Sequence, residues 1–129
     1  MYAQAQNWKH APAPQQMMPL DFQALFTDVE AEQIRKGLIP KQMENKWFIY
    51  FEDGWLRFHR SWTGFFIYAL KLDGSPAGVR VTDSWVNRDP EQYASTDLEY
   101  DRNMLRYLID VSLLKKQDVP FPMHKNNDA

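Results

Sequence analysis

Lys46-Trp47-Phe48-Ile49-Tyr50-Phe51-Glu52-Asp53-Gly54-Trp55-Leu56-Arg57-Phe58-His59-Arg60 decides the fold. Two runs of aromatic and β-branched residues flank Asp53-Gly54, and Asp-Gly tolerates the positive φ that a tight hairpin needs at both turn positions. A two-residue turn fixes the pairing. It sets Glu52 opposite Trp55, Phe51 opposite Leu56, Tyr50 opposite Arg57, Ile49 opposite Phe58 and Phe48 opposite His59. Alternation then sends Ile49, Phe51, Leu56 and Phe58 to one face, the core face. Phe48, Tyr50, Trp55, Arg57 and His59 fall on the other.

Moving outward, a third strand is expected at Phe65 to Leu72, after the connection Ser61-Trp62-Thr63-Gly64. Asp73-Gly74-Ser75-Pro76 reads as a turn and Val79 to Val86 as a fourth strand. Short links between consecutive strands predict a four-stranded antiparallel meander over about 46–86.

Helix signals flank this sheet. Thr27-Asp28-Val29-Glu30 is a capping box, and Gly37 followed by Pro40 ends the helix, giving a short element over about 28–36. Asp89-Pro90-Glu91 is a second start signal. Thr96-Asp97-Leu98-Glu99 is a third, with Thr96 as N-cap. Tyr100, Met104, Tyr107, Leu108, Val111 and Leu114 then recur at helical spacing, so a long helix over about 97–116 should cover one face of the sheet. The class is α+β. Residues 1–20, rich in Ala, Gln and Pro, read as a flexible arm, 21–116 as a single domain, and 117–129 as a flexible tail.

Composition narrows the function. With 15 basic and 17 acidic residues the formal net charge is −2, which argues against nucleic acid and membrane surfaces as partners. The chain has no cysteine, so disulfides, thiolate metal sites and cysteine nucleophiles are excluded. No apolar run approaches the roughly 18 residues of a membrane span, and the first twenty residues lack the apolar core of a signal peptide. A cytoplasmic location is expected. Aromatic residues, at 15%, exceed what a small core needs and leave rings for a binding surface.

The chemistry concentrates in Arg57-Phe58-His59-Arg60-Ser61-Trp62-Thr63-Gly64. Guanidinium forks match phosphate or carboxylate oxygens, hydroxyls and glycine amides complete an anion cradle, and an indole stacks on a planar group. The candidate ligand-binding residues are Arg57, His59, Arg60, Ser61, Trp62 and Thr63, with Tyr50 and Arg80 from neighbouring strands. Each also has a structural reading. Arg57 can stack on Tyr50 across the hairpin, His59 can be a packed histidine beside Phe48, Arg60 can pair with an acid such as Glu44, and Arg80 can sit on an ordinary solvated face.

Enzyme signatures are missing. The chain has no P-loop, dinucleotide-binding glycine turn, nucleophile elbow or His-Glu-x-x-His. Its histidines are His10, His59 and His124, and two of them lie in the terminal segments. No metal, cofactor or catalytic residue is therefore expected, although a Ser61–His59 pair oriented by Asp83 or Glu52 can be written down.

The stretch Asn45 to Tyr50, continued through Phe58 to Gly64 and Ile67-Tyr68, resembles a pattern in small uncharacterised bacterial proteins. That resemblance implies a bacterial, cytoplasmic source and carries no activity. Three readings follow from the residues. The first is a binding protein for an anionic small molecule, and the second is a protein-interaction or inhibitor protein of the immunity or antitoxin kind. The third is a small hydrolase using His59. A homodimer is compatible with each.

Overall fold

A computed structural model describes residues 2–122. The hairpin forms as its turn chemistry dictates: β3 (Trp47–Glu52) and β4 (Trp55–Arg60) pair in the expected register, from Glu52 opposite Trp55 to Trp47 opposite Arg60. Asp53 and Gly54 take φ of 54° and 87°, the left-handed conformation both positions of such a turn require. β5 (Phe66–Ser75) and β6 (Gly78–Asn87) continue the antiparallel order. They run longer than expected, because the turn is Pro76-Ala77 and not Asp73 to Pro76. Pro76 presets its φ, Gly78 supplies a φ of 132°, and the Ser75 hydroxyl donates to the Gly78 carbonyl.

The four-stranded meander is corrected to a six-stranded antiparallel sheet. β1 (Met17–Pro19) and β2 (Leu25–Phe26) both pair with the outer edge of β6, giving the order β1-β6-β5-β4-β3 with β2 also on β6. The class remains α+β. The C-terminal helix is shorter than the expected 97–116. It comprises α2 (Leu98–Tyr107) and a π-helical continuation (Leu108–Leu113), sixteen residues in all. The Leu114 amide reaches back five residues to the Ile109 carbonyl, and Lys115 then turns left-handed at φ 61°, which stops the helix.

At the other end of α2 the cap is Asp97, whose carboxylate accepts from the Tyr100 amide; Thr96 lies one residue outside. The Asp89-Pro90 signal makes only a turn, closed by the Gln92 and Tyr93 amides on the Asp89 carbonyl. A direct consequence is that Asp97→Ala should cost about 1 kcal/mol of stability, while Thr96→Ala stays within about 0.5 kcal/mol. Urea denaturation of the two variants checks this, and the reverse order would move the cap. α1 (Asp28–Arg35) forms behind the full Thr27–Glu30 capping box, and Gly37 ends it. Gly37 has φ 69°, and a Cβ there would come within 2.2 Å of the Ile49 carbonyl oxygen.

The helices cover one face of the sheet. Ile34 of α1 and Met104, Leu105 and Ile109 of the C-terminal helix meet Ile49, Leu56, Phe58, Leu70 and Val86 in the main core. Two bulges keep the faces consistent. Ile67 is the extra residue where Phe58 pairs Tyr68 and His59 pairs Phe66, and Thr82 is extra where Lys71 pairs Asp83 and Leu72 pairs Val81.

The other face is covered as well, by the segment read as an arm. The Ala3 amide bonds the Lys36 carbonyl, Trp8 Nε1 donates to the Ser61 carbonyl, and the Ala11 amide bonds the Gly64 carbonyl. The Arg88 amide then bonds Gln16, just before β1 joins the β6 edge. Ala3 forms a second small core with Phe48 and Tyr50, against which Ala5, Trp8 and Ile39 pack. The tail expectation for 117–129 lies outside the described residues from position 123. Among those described, no helix is long and apolar enough to cross a membrane.

Candidate functional site

Strand alternation divides the candidate residues. Arg57 and His59 face the arm, while Arg60, one residue on, faces the helix side with its pairing partner Trp47. Arg57 is half-buried; its guanidinium lies 5.8 Å from the Tyr50 ring centroid and donates to the Glu52 carbonyl at 3.3 Å. The stacking expected from the hairpin register is present, while Arg57 Nε is buried without a hydrogen-bond partner among the described residues. Burial pushes the Tyr50 phenol up, and the Arg57 charge opposes that shift.

His59 is 1% exposed and packs between rings: Phe66 at 4.4 Å, Tyr50 at 5.7 Å and His10 of the arm at 5.8 Å. Its Nδ1 lies 2.9 Å from the Gly64 carbonyl oxygen. A carbonyl can only accept, so Nδ1 carries the proton and Nε2 keeps its lone pair, buried without a hydrogen-bond partner among the described residues. Burial lowers the imidazole pKa to about 4, a shift the Gly64 bond opposes and the nearby His10 and Arg57 charges reinforce.

The Ser61–His59 pair does not form. Ser61 is buried and donates to the Asn45 carbonyl, His59 is committed to Gly64, and Asp83 accepts from the Ser84 amide. Arg80 stands apart on the exposed outer part of β6, between Leu25 and Asp73 of the neighbouring strands.

Arg60, Trp62 and Thr63 do come together, and Lys46 joins them. The loop after β4 is closed by the Arg60 amide on the Phe65 carbonyl and the Gly64 amide on the Arg60 carbonyl, with Gly64 at φ 83°. The Ser61 amide bonds the Lys46 carbonyl, which holds Lys46 beside this loop. Trp62 is 57% exposed, yet its Nε1 donates to the Met43 carbonyl at 3.0 Å. That bond fixes the ring on a turn organised by Asn45 Oδ1, which accepts from the Lys41 and Gln42 amides.

Each cation of the pair sits over an indole. Lys46 Nζ is 4.5 Å from the Trp62 ring centroid, and the Arg60 guanidinium is 5.0 Å from that of Trp47. Neither forms an ion pair with any described residue; the ion pairs there are Arg88–Asp101 and Lys116–Asp110. Arg60 forms no ion pair with Glu44, the acid the sequence offered it, although both line the same groove.

Lys46, Arg60, Trp62 and Thr63 line a depression of about 400 Å³ together with Phe65, Gln92 and Tyr93. Among the described residues Glu91 is the only carboxylate lining it. On the other side of Arg60 and Lys46 lies a groove of about 470 Å³, lined in part by Trp47, Met104 and Leu108. Both cations are thus reachable from two sides.

Lys46, Gln92 and Tyr93 were not among the residues singled out in the sequence. Extending the hairpin register past Trp47–Arg60 would have placed Lys46 next to Ser61. Nothing local announces Gln92 or Tyr93, which a long-range network positions. The Tyr93 hydroxyl bonds Asp101 Oδ1 at 2.5 Å and Tyr68 at 2.8 Å, and Gln92 Oε1 accepts from Asn87. Burial and the Asp101 carboxylate push both tyrosine hydroxyls well above their usual range, so neither serves as a base. Among the described residues no group of His, Asp or Glu has metal-binding geometry. No protein-family model, curated protein or solved structure matches the chain.

Proposed function

We propose that this chain binds a small planar anion of the nucleotide-phosphate class in the depression beside Lys46, Arg60 and Trp62. One observation carries the reading. Two cations held over indole rings, with no ion-pair partner among the described residues, converge on a concave site that also presents an exposed, hydrogen-bonded tryptophan. The Arg60 fork matches phosphate oxygens, Lys46 adds a point charge, and Trp62 offers a π surface already fixed before a ligand arrives. A volume near 400 Å³ falls within the roughly 300–1,000 Å³ typical of small-ligand pockets.

The test begins with a thermal-shift screen of nucleotides, sugar phosphates and aryl carboxylates, because a ligand of the folded state raises the melting temperature by mass action. Arg60→Ala should then weaken AMP by about 1.5–3 kcal/mol, the worth of a charge-assisted hydrogen bond. Arg60→Lys should recover part of the loss, since it keeps charge without the planar fork. Equal affinities in all three proteins would remove Arg60 from the site.

A protein partner is the second reading, favoured by the exposure of Met43 (74%) beside Trp62. It moves ahead if no anion in the screen shifts the melting temperature.

A further inference from the structure

We infer that the ligand has two planar ends joined by a phosphate bridge, a dinucleotide, because a second half-site lies beside Trp62. This rests on the anion-binding reading above and specifies its substrate class. The second depression, of about 480 Å³, is lined by Trp8, Trp62 and Met43 together with Lys9 and Lys41. Trp62 lines both depressions.

The second half-site repeats the chemistry of the first. Trp8 is fixed as Trp62 is: its Nε1 donates at 2.8 Å to the carbonyl of Ser61, the residue before Trp62. Both indoles therefore hang from one short loop, with their N–H groups committed to backbone oxygens rather than water. Lys9 and Lys41 are exposed, and among the described residues they have no ion-pair partner and no carboxylate lines this depression. In a chain of net charge −2, four cations (Lys9, Lys41, Lys46 and Arg60) are thus gathered around a single exposed tryptophan.

An aromatic wall with two cations on each side suits a base or other planar ring in each depression, with the bridging phosphates crossing at the Ser61–Thr63 loop. Thr63 Oγ1 accepts from the Phe65 amide, which leaves its O–H free to donate to such a bridge. Tethering the two ends makes the second contact intramolecular and raises affinity without any new type of contact.

Calorimetric titration of the full chain with AMP and with diadenosine pyrophosphate tests this. Wild type should bind the dinucleotide at least tenfold more tightly than AMP. The Lys9→Ala/Lys41→Ala double variant, altered only at exposed positions, should lose most of that advantage, weakening the dinucleotide far more than it weakens AMP. Arg60→Ala should weaken both probes. AMP binding with no dinucleotide advantage, or an equal loss of both probes in the double variant, would overturn the dinucleotide assignment and leave the Arg60 site standing. Failure of wild type to bind either probe would remove both proposals.

Discussion

Replacing Asp101 by Ala is expected to remove about 3–5 kcal/mol of folding stability, the usual cost of breaking a buried ion pair from one side. Asp101 is 0% exposed and sits on α2 facing the sheet. Its Oδ2 takes the Arg88 guanidinium at 2.7 Å, and its Oδ1 takes the hydroxyls of Tyr93 and Tyr68. Truncation leaves a largely buried guanidinium without its anion, and because the Tyr68 and Tyr93 hydroxyls bond each other at 2.8 Å, one of the two is left without an acceptor. Domains of this size hold roughly 5–15 kcal/mol, so the variant would be close to unfolding. Asp101→Asn keeps the shape and one acceptor oxygen and should recover part of the loss. The measurement is urea denaturation at neutral pH. A loss below about 1 kcal/mol for Asp101→Ala would mean that the network is not held by this carboxylate.

Acidification should destabilise the fold through His59. An unfolded histidine takes up its proton near pH 6.5, whereas the buried ring resists protonation until about pH 4. Between those values the unfolded chain binds more protons, so stability falls as pH falls through that window and this residue adds no further loss below it. The difference corresponds to at most about 3.5 kcal/mol, at about 1.4 kcal/mol per unit. His59→Phe keeps an aromatic ring between Phe66 and Tyr50, and the Gly64 carbonyl retains the Ala11 amide as donor. Its stability should therefore vary less between pH 6.5 and 4 than that of wild type. Parallel denaturant midpoints across that range for wild type and variant would show that His59 is not held neutral by the fold.

The hairpin was readable because two independent constraints, the Asp53-Gly54 turn and the alternation of Ile49, Phe51, Leu56 and Phe58, demand one register. The strand count was not. β1 is three exposed residues and β2 only two, too short for any periodicity, and both depend on the β6 edge for their hydrogen bonds. The first twenty residues carry the composition of a disordered arm, yet scattered contacts by Ala3, Trp8 and Ala11 lay the segment along the sheet. Burial of Phe48, Tyr50 and His59 follows from that cover, and no pattern within the strands announces it.

Part of the site was legible. Arg60, Trp62 and Thr63 cluster in the chain and in space because one short loop carries them. Arg57 and His59 separate from Arg60 for a reason present in the sequence, since odd and even positions of a strand point to opposite faces. Gln92 and Tyr93 were beyond reach, because their placement depends on Asn87 and Asp101 from distant parts of the chain.

The central claim is that planar anions bind beside Trp62, and the five indole N–H resonances of the chain report on it directly. Titration of 15N-labelled protein with AMP should shift the Trp62 resonance, and Trp47 beneath Arg60 to a lesser degree. Trp55 and Trp85, on the arm-covered face, should stay in place. Arg60→Ala should reduce the Trp62 shift at equal AMP concentration. Shifts confined to Trp55 and Trp85, or no shift of Trp62 at millimolar AMP, would contradict the proposed site.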